Sequence, residues 1–398
     1  MLQLDAVQTL ALAGVALFLG YGLCRWVPVL GKYNLPPPVV GGLVFAIAVW
    51  IAHARDTTLF ELDTSLQTPL MIAFFTTIGM NASLRLLKIS GTQVMVFLGL
   101  ASAFAVFQNL LGMAVAVGFD LHPLFGVLAG STTLTGGPAT GLAFAPLFEE
   151  AGVEGAESIA VASAMAGIVL GGLVGGPAIT MLIQRFRLSP SGAEAHAVPD
   201  FEGGDAPAPT EAAREYNALK SIVTLLIAMW LGAWVSGWIS ATGITLPAYV
   251  GAMLVGAAIR NLDDRTGWIG LSVPTTDLIG NVCLALFLSV ALMNLKLWEL
   301  AGLALPLIIN LALQVGVVVA FCIVVYRLMG RDYDAAIMGG GFIGFMLGTT
   351  ANAMAVMRAL VERYGAAPRA FLVAPLVGAF FIDFTNALII TGFINFWG

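Results

Sequence analysis

Two short breaks within apolar sequence carry the side chains with the clearest chemical potential. The first reads Thr135-Gly-Gly-Pro-Ala-Thr-Gly141, and the second reads Gly348-Thr-Thr-Ala-Asn352. Where a helix breaks, its first arm ends in unpaired carbonyls and its second arm begins with unpaired N–H groups. The carbonyl end attracts a cation, and the N–H end attracts an anionic group. Two such breaks can therefore hold an anionic solute and a metal ion without a buried Arg or Lys.

Small and hydroxyl-bearing residues supply the polar ligands at both breaks. An alternative role for Gly and Thr is to let apolar helices pack closely, as small residues do in membranes. A break in mid-membrane is tolerated only within protein or beside water, which favours the binding role. The predicted solute-binding residues are Ser131, Thr135, Gly136, Gly137, Thr140, Gly348, Thr349, Thr350 and Asn352.

Asp383 is the one acid deep within the final apolar stretch, in the sequence Ile-Asp-Phe-Thr-Asn386. Because a charge at that depth is expensive, Asp383 is a candidate cation ligand or proton carrier, with a hydrogen-bonded structural carboxyl as the alternative. Asn81 and Asn294 recur at related positions of the two halves, and with Asp383 and Asn386 they make up the predicted Na⁺ ligands. Asp277 follows Pro-Thr-Thr and is predicted to cap a helix N-terminus.

Enzymatic functions find no support in the motifs. The sequence has no His-Glu-x-x-His pair and no Walker loop, and its Gly-rich stretches do not follow strands. We therefore predict a protein that is not an enzyme, has no resident cofactor and has no nucleic-acid partner. A channel remains an alternative, since polar residues also line pores.

Composition indicates which solvent surrounds these residues. Of the 398 residues, 59% are hydrophobic and 10% are charged, whereas soluble domains carry about 25% charged residues. Lipid must therefore surround much of the chain, and ten apolar windows are long enough to cross a core of about 30 Å. They lie at about 6–24, 36–52, 67–84, 91–117, 156–183, 220–240, 246–260, 276–294, 301–326 and 370–395.

The two broken segments, about 121–150 and 333–358, are predicted to be re-entrant hairpins. Arms of roughly 10–12 residues reach only about 15–18 Å, which is half of the hydrocarbon core. A polar stretch at 185–219, rich in Gly, Pro and acidic residues, is predicted to be a flexible linker.

The basic residues predict the orientation. With both termini outside and the linker in the cytoplasm, fifteen of the 17 Lys and Arg residues fall inside, and only Arg55 and Lys296 fall outside. The opposite orientation inverts this split and violates the positive-inside rule.

An odd number of spans in each half makes the halves antiparallel. The predicted fold is thus an all-α polytopic membrane protein with two inverted repeats, residues 1–184 and 220–398, each with five transmembrane helices and one hairpin. Inverted repeats with broken helices are the plan of many secondary transporters.

The sequence resembles the bacterial sodium/glutamate symporter family along nearly its whole length. The matching segments are Leu35-Pro-Pro-Pro-Val-Val-Gly-Gly42, Pro69-Leu-Met-Ile-Ala-Phe-Phe-Thr-Thr-Ile-Gly-Met-Asn81, Gly130-Ser-Thr-Thr-Leu-Thr-Gly-Gly137, Leu297-Trp-Glu-Leu-Ala301, Tyr333-Asp-Ala-Ala336 and Val377-Gly-Ala-Phe-Phe-Ile-Asp383. The resemblance implies Na⁺-coupled uptake of glutamate across the inner membrane by a homodimer, in which a mobile domain moves past a fixed scaffold.

The chain departs from the family pattern at both breaks. The family's first break usually reads Ser-Gly-Gly-His-Gly-Thr-Gly and its second carries Gly-Phe-Gly-Leu-Gly-Ala-Thr-Pro, whereas this chain has Gly344-Phe-Met-Leu-Gly-Thr-Thr-Ala351 at the second. A related anionic amino acid is therefore included with glutamate as the expected substrate. The alternatives are a proton- or Na⁺-coupled dicarboxylate carrier and, from a different class, an ion channel or a solute sensor.

Overall fold

The computed structural model describes residues 2–33, 35–55, 57, 60–85, 91–190, 211–242, 246–300 and 302–398. The first half contains α1 (Ala6–Trp26), α2 (Pro28–Lys32), α3 (Pro37–His53), α4 (Gln67–Asn81), α5 (Thr92–Gly118), α6 (Pro123–Thr132), α7 (Gly137–Glu150) and α8 (Ala156–Phe186). The second half contains α9 (Glu211–Ser240), α10 (Ala248–Thr266), α11 (Val273–Met293), α12 (Ala304–Leu328), α13 (Tyr333–Met346), α14 (Thr350–Tyr364), α15 (Pro368–Leu376) and α16 (Ile382–Trp397).

Length and composition make six of the described helices capable of crossing a membrane. They are α1, α5, α8, α11, α12 and the Arg214–Ser240 part of α9. This confirms a helical membrane protein that crosses the bilayer several times. Of the remaining predicted spans, α3 and α4 are shorter, α10 is long enough but carries Arg260, Asp263, Asp264 and Arg265, and the last is divided into α15 and α16 by a π-helical turn at Val377–Phe381.

One feature departs from an all-helical fold. Strands β1 (Leu2–Leu4) and β2 (Phe60–Leu62) form a two-stranded parallel ladder, with Leu2 opposite Phe60. Three-residue strands are too short to show an alternating pattern, so this long-range pairing leaves no signal in the sequence.

The predicted linker is shorter than expected at both ends. Helix α8 continues to Phe186, and α9 already begins at Glu211 rather than at residue 220. Charged residues such as Arg214 and Glu215 extend α9 beyond its apolar part, so a hydropathy window alone missed its first turns. Residues 191–210 of the linker lie outside the described residues.

The helices form two bundles. The frame bundle consists of α1, α3, α4, α9, α10 and α11, and the tip bundle consists of α5–α8 and α12–α16. Helices pack extensively within each bundle, while contacts between the bundles are sparse, as between α11 and α7. Each half contributes its first three long helices to the frame bundle and the rest, with its broken segment, to the tip bundle.

Glycine allows close helix contacts in the frame bundle. A Cβ atom at Gly79 of α4 would lie 2.1 Å from the carbonyl oxygen of Met253 in α10. The two helix backbones therefore approach each other at a distance that no other residue permits, which is a common device in membrane bundles.

Candidate solute and cation site

The first break forms a tip, residues 131–137, between α6 and α7. The backbone of α6 is already non-helical at Gly130, with φ −104° and ψ −128°, within a π-helical turn at Leu128–Thr132. Helix α7 begins at Gly137, whose φ of +70° suits glycine. The predicted break at 135–141 is therefore displaced toward the N-terminus, and Pro138 lies in the first turn of α7, where its missing N–H costs no helix hydrogen bond.

The second break forms a shorter tip, residues 347–350. Helix α13 ends at Met346, and α14 begins at Thr350. Thr349 is extended and occupies the N-cap position, but its side chain makes no capping hydrogen bond. The first N–H groups of α14 are therefore left without a side-chain cap.

The two tips meet inside the tip bundle. A Cβ atom at Gly137 would lie 3.3 Å from Cγ2 of Thr349. Gln108 of α5 joins them: the Thr135 hydroxyl donates to Oε1 of Gln108 at 2.7 Å, and Nε2 of Gln108 donates to the carbonyl oxygen of Met346 at 2.8 Å. One buried amide thus fixes the position of both breaks relative to each other.

A cavity of about 440 Å³ opens where the tips face the frame bundle. Its volume lies in the range of small-molecule sites. The tip bundle contributes Thr135, Gly136, Pro138, Ala139, Phe345, Thr349, Thr350, Ile382 and Asp383 to the lining, and the frame bundle contributes Tyr21, Pro36, Pro38, Phe74, Asn281, Leu284, Ala285 and Leu288.

A second cavity of about 410 Å³ shares one wall with the first. Thr349, Thr350 and Asp383 line both cavities. The frame bundle adds Asp277 of α11 and Asn81 of α4, and Nδ2 of Asn81 donates a hydrogen bond to Oδ1 of Asp277. Two carboxylates therefore face this region, one from each bundle.

Five of the predicted site residues line the first cavity together: Thr135, Gly136, Thr349, Thr350 and Asp383. Asn81 lines the second cavity. The hydroxyl of Thr350 donates to the carbonyl oxygen of Gly378 at 2.7 Å, which ties the second tip to the π-helical turn before Asp383. A π-helical turn is a frequent companion of functional sites.

The other predicted residues of the tips lie behind the cavity wall. Nδ2 of Asn386 donates to the carbonyl oxygen of Ser131 at 2.9 Å, and Nδ2 of Asn352 donates to that of Ile168 at 3.0 Å. Thr140 packs against Gly136, and Gly348 lies beside Asn352. These residues, like Gly137, support the backbone of the tips without lining the cavity.

Asn294 is not brought to the site. It is exposed at the C-terminal end of α11, thirteen residues beyond Asn281 of the first cavity, which is about 20 Å along a helix. Asn81, its counterpart in the sequence pattern, is only 4% exposed. The two positions thus occupy different surroundings, although the residues around them are similar.

The electrostatics of the first cavity suit a solute of mixed charge. Neither cavity is lined by Lys or Arg among the described residues. An anionic group finds instead the N-terminal ends of α7 and α14, which carry partial positive charge and no side-chain cap. Asp383 is the acidic side chain in the lining of this cavity.

Sequence reasoning missed three residues of this region. Asp277, predicted to cap a helix, lies beyond the first turn of α11, where Ser272 occupies the N-cap position. It bonds to Asn81 instead. Asn281, one turn further along α11, and Gln108 were also missed. Asp277 and Asn281 are four residues apart and so lie on one helix face, and this spacing is the signal that could have identified them.

Comparison with known proteins identifies the relatives of the chain. The model of a family described as sodium/glutamate symporter matches residues 2–366. A sodium/glutamate symporter of Haemophilus influenzae is 39% identical over 386 residues, which cover 96% of this chain and 95% of the relative. One of Escherichia coli is 40% identical over 400 residues, which cover 98% and 97%.

The chain belongs to the sodium/glutamate symporter family. This confirms the resemblance read from the sequence segments, and the relatives are named as transporters rather than enzymes. The alignments with both relatives extend over nearly the whole chain, so family membership applies to both bundles.

Proposed function

We propose that this protein is a secondary active transporter that imports glutamate or a related anionic amino acid together with Na⁺. The observation that carries this proposal is the first cavity, where two broken helices meet beside Asp383 at the boundary between two loosely joined bundles. Family membership supports both the solute and the coupling ion.

Solute recognition follows from the polar groups of the cavity. Carboxylate oxygens of the solute bind the free N–H groups at the start of α14 and α7 and the hydroxyl of Thr349. Helix N-termini bind anions in this way without a basic side chain. Asp383 binds the cation that accompanies the solute, and Asn81 with Asp277 faces the same region from the frame bundle.

Alternating access is the transport mechanism that we propose. The few contacts between the bundles permit the tip bundle to move as a unit past the frame bundle, like an elevator. The common order of helices in the two halves supports inverted repeats, in which the segments at 121–150 and 333–358 are re-entrant hairpins entering from opposite faces. Two broken segments meeting at one cavity is the arrangement that such repeats produce.

The proposal includes the oligomeric state, the membrane and the orientation of the protein. We propose a homodimer in the bacterial inner membrane, with ten spans in each chain, both termini outside and the linker in the cytoplasm. This orientation follows from the distribution of basic residues along the chain.

Uptake of labelled glutamate into proteoliposomes tests the function. With an inward Na⁺ gradient, we expect accumulation above equilibrium, and with choline in place of Na⁺ we expect none. Excess unlabelled aspartate and succinate, added separately, define the substrate class. Accumulation driven by a pH gradient without Na⁺ would instead indicate a proton-coupled carrier that uses Asp383.

Replacing Asp383 tests the cation role. The Asp383→Asn variant keeps the size of the side chain but removes its charge, so the concentration of Na⁺ for half-maximal uptake should rise by about tenfold, equivalent to about 1.4 kcal/mol. Asp5→Asn, at the exposed start of α1, is the control. An unchanged Na⁺ dependence in Asp383→Asn would remove this residue from the cation site.

A further inference from the structure

A second group of polar side chains lies deeper in the tip bundle, where α6 is kinked at Gly130. Ser131, Thr132, Asn310 and Asn386 are fully buried there, each with a relative exposure of 0%. They come from three helices: α6, α12 and α16. None of them lines either of the two cavities described above.

Hydrogen bonds fix the orientation of the two amides. Nδ2 of Asn310 donates to the carbonyl oxygen of Ala129 at 2.7 Å, and Nδ2 of Asn386 donates to that of Ser131 at 2.9 Å. If either amide were flipped, its Oδ1 atom would face the backbone carbonyl oxygen that now accepts the hydrogen bond, and two acceptors would be in contact. The Oδ1 atoms of both residues are therefore held as acceptors, and neither has a hydrogen-bond partner among the described residues.

Two hydroxyl oxygens add to these acceptors. Oγ of Ser131 and Oγ1 of Thr132 are also buried, with no hydrogen-bond partner in the part of the chain that the structure describes. An unsatisfied buried polar atom costs about 1–3 kcal/mol, so four of them around one kink require an explanation. The backbone N–H of Ser131, by contrast, is satisfied by Oδ1 of Asn109 at 2.9 Å.

We propose that Ser131, Thr132, Asn310 and Asn386 form a buried binding site for a monovalent cation, separate from Asp383. Neutral amide and hydroxyl oxygens are suitable ligands for a hard cation. The described residues place no cluster of acidic, His or Cys ligands there, and a site without a carboxylate favours a single charge over a double one. This inference rests on the proposed coupling to Na⁺, and it locates one ion.

The position of the site suggests how the ion acts on the solute. The carbonyl oxygen of Ser131 accepts from Asn386 and also from the backbone N–H groups of Thr135 at 3.2 Å and Gly136 at 3.0 Å. Thr135 and Gly136 line the solute cavity. A cation bound at the kink therefore orders the first tip, and the solute meets a tip already in its binding conformation. Such coupling is reciprocal, so solute binding tightens cation binding.

Two single replacements test the site. In Asn310→Ala and Asn386→Ala, the concentration of Na⁺ for half-maximal glutamate uptake should rise at least tenfold, with near-normal uptake at saturating Na⁺. The rise in melting temperature that NaCl gives the purified wild-type protein, relative to choline chloride, should also be lost. Asn395→Ala is the control, because Asn395 lies on the same helix but is exposed and donates to Thr391.

The variants separate this inference from the proposed function. Wild-type uptake that ignores Na⁺ would refute the proposed function. Na⁺-driven wild-type uptake with unchanged Na⁺ dependence in both variants would refute only the cation site. If either Ala variant fails to fold, Ser131→Ala, which removes a single hydroxyl, must still weaken the Na⁺ dependence at least threefold.

Discussion

The two tips are held in the protein in very different ways. In the first tip, Ser131, Thr132 and Thr133 are completely buried, and amides from α5 and α16 bond to its backbone and side chains. In the second tip, Thr349 and Thr350 are only half-buried. Among the described residues, the side-chain hydrogen bonds at this tip and at the adjoining Met346 are those of Thr350 with Gly378 and of Gln108 and Thr135 with Met346.

This difference assigns different tasks to the tips. Each satisfied hydrogen bond contributes about 0.5–1.5 kcal/mol, so the first tip is held in one shape as long as its polar atoms are paired. The second tip has fewer bonds to break and lies at the wall between the two cavities. We therefore expect the conformation of the first tip to depend on cation binding, and the conformation of the second tip to change when the solute binds.

Removing the amide that joins the tips should give the largest effect. In Gln108→Leu, the Thr135 hydroxyl and the Met346 carbonyl lose their partner, at a cost of about 2–6 kcal/mol in total. The melting temperature of the purified protein should fall, and uptake should fall more than tenfold. Gln93→Leu, near the start of the same helix, is the control, and equal loss in both variants would contradict the role of Gln108.

Overpacking the second tip should have the next largest effect. A Cβ atom at Gly378 would lie 2.2 Å from Cε2 of Phe345 and 2.8 Å from Oγ1 of Thr350, and such crowding costs about 1–3 kcal/mol. In Gly378→Ala, the Michaelis constant for glutamate should rise more than that for Na⁺. Gly392→Ala is the control, because no atom of the described residues lies within 4 Å of its added Cβ. Equal increases in the Michaelis constants for glutamate and for Na⁺ would contradict the different roles of the two tips.

Loosening the second tip should have a smaller effect. Thr350→Val keeps the shape of the side chain but removes the hydrogen bond to Gly378, worth about 1 kcal/mol. The Michaelis constant for glutamate should rise about fivefold and the Na⁺ dependence should stay near that of the wild type. Thr350→Ser retains the hydroxyl and should restore the wild-type value; if it does not, the hydrogen bond is not the cause.

The smallest effect on transport is expected far from both tips, at Asp263. Burial alone would raise the pKa of this carboxyl, but hydrogen bonds from the backbone N–H groups of Leu271, Gly270 and Ile269, with Arg260 nearby, lower the pKa below its ordinary value. The carboxylate therefore stabilises the folded state above its unfolded pKa of about 3.9, and this contribution is lost as the pH falls toward the lower folded pKa.

Thermal unfolding of the wild type and Asp263→Asn at pH 7 and at pH 4 measures this contribution. The wild type should be more stable at pH 7, and the difference should shrink as the pH falls. Uptake per folded molecule should be equal at pH 7. A difference that grows on acidification would contradict the sign of the pKa change.

Much of the site followed from local sequence alone. Both breaks were found from Gly and Thr within apolar stretches, because residues that stop helices act on their own backbone. Asp383 stood out because an acid in an apolar span is expensive whatever surrounds it. Five of the predicted residues indeed line one cavity. Asn294, chosen from a repeated pattern, is exposed at the end of α11, because similarity between repeats does not specify surroundings.

Hydrogen bonds between residues far apart in the chain could not be predicted from local sequence. The bond between Asn81 and Asp277 joins residues 196 positions apart, and Gln108 reaches Met346 across 238 positions. Amides within apolar helices look alike in the sequence, whether they bridge helices or face a ligand. Their role depends on which backbone group lies opposite.

The sequence by itself determined the helical membrane class, the two breaks and the family resemblance, since hydropathy, helix-breaking residues and local segments are properties of neighbouring residues. Only the tertiary structure decided that the helices divide into a frame bundle and a tip bundle, that the tips meet through Gln108 and that Asn310 and Asn386 bond to the carbonyl groups beside the kink at Gly130. These features arise from packing between distant segments, and packing selects its partners only once the whole chain is folded.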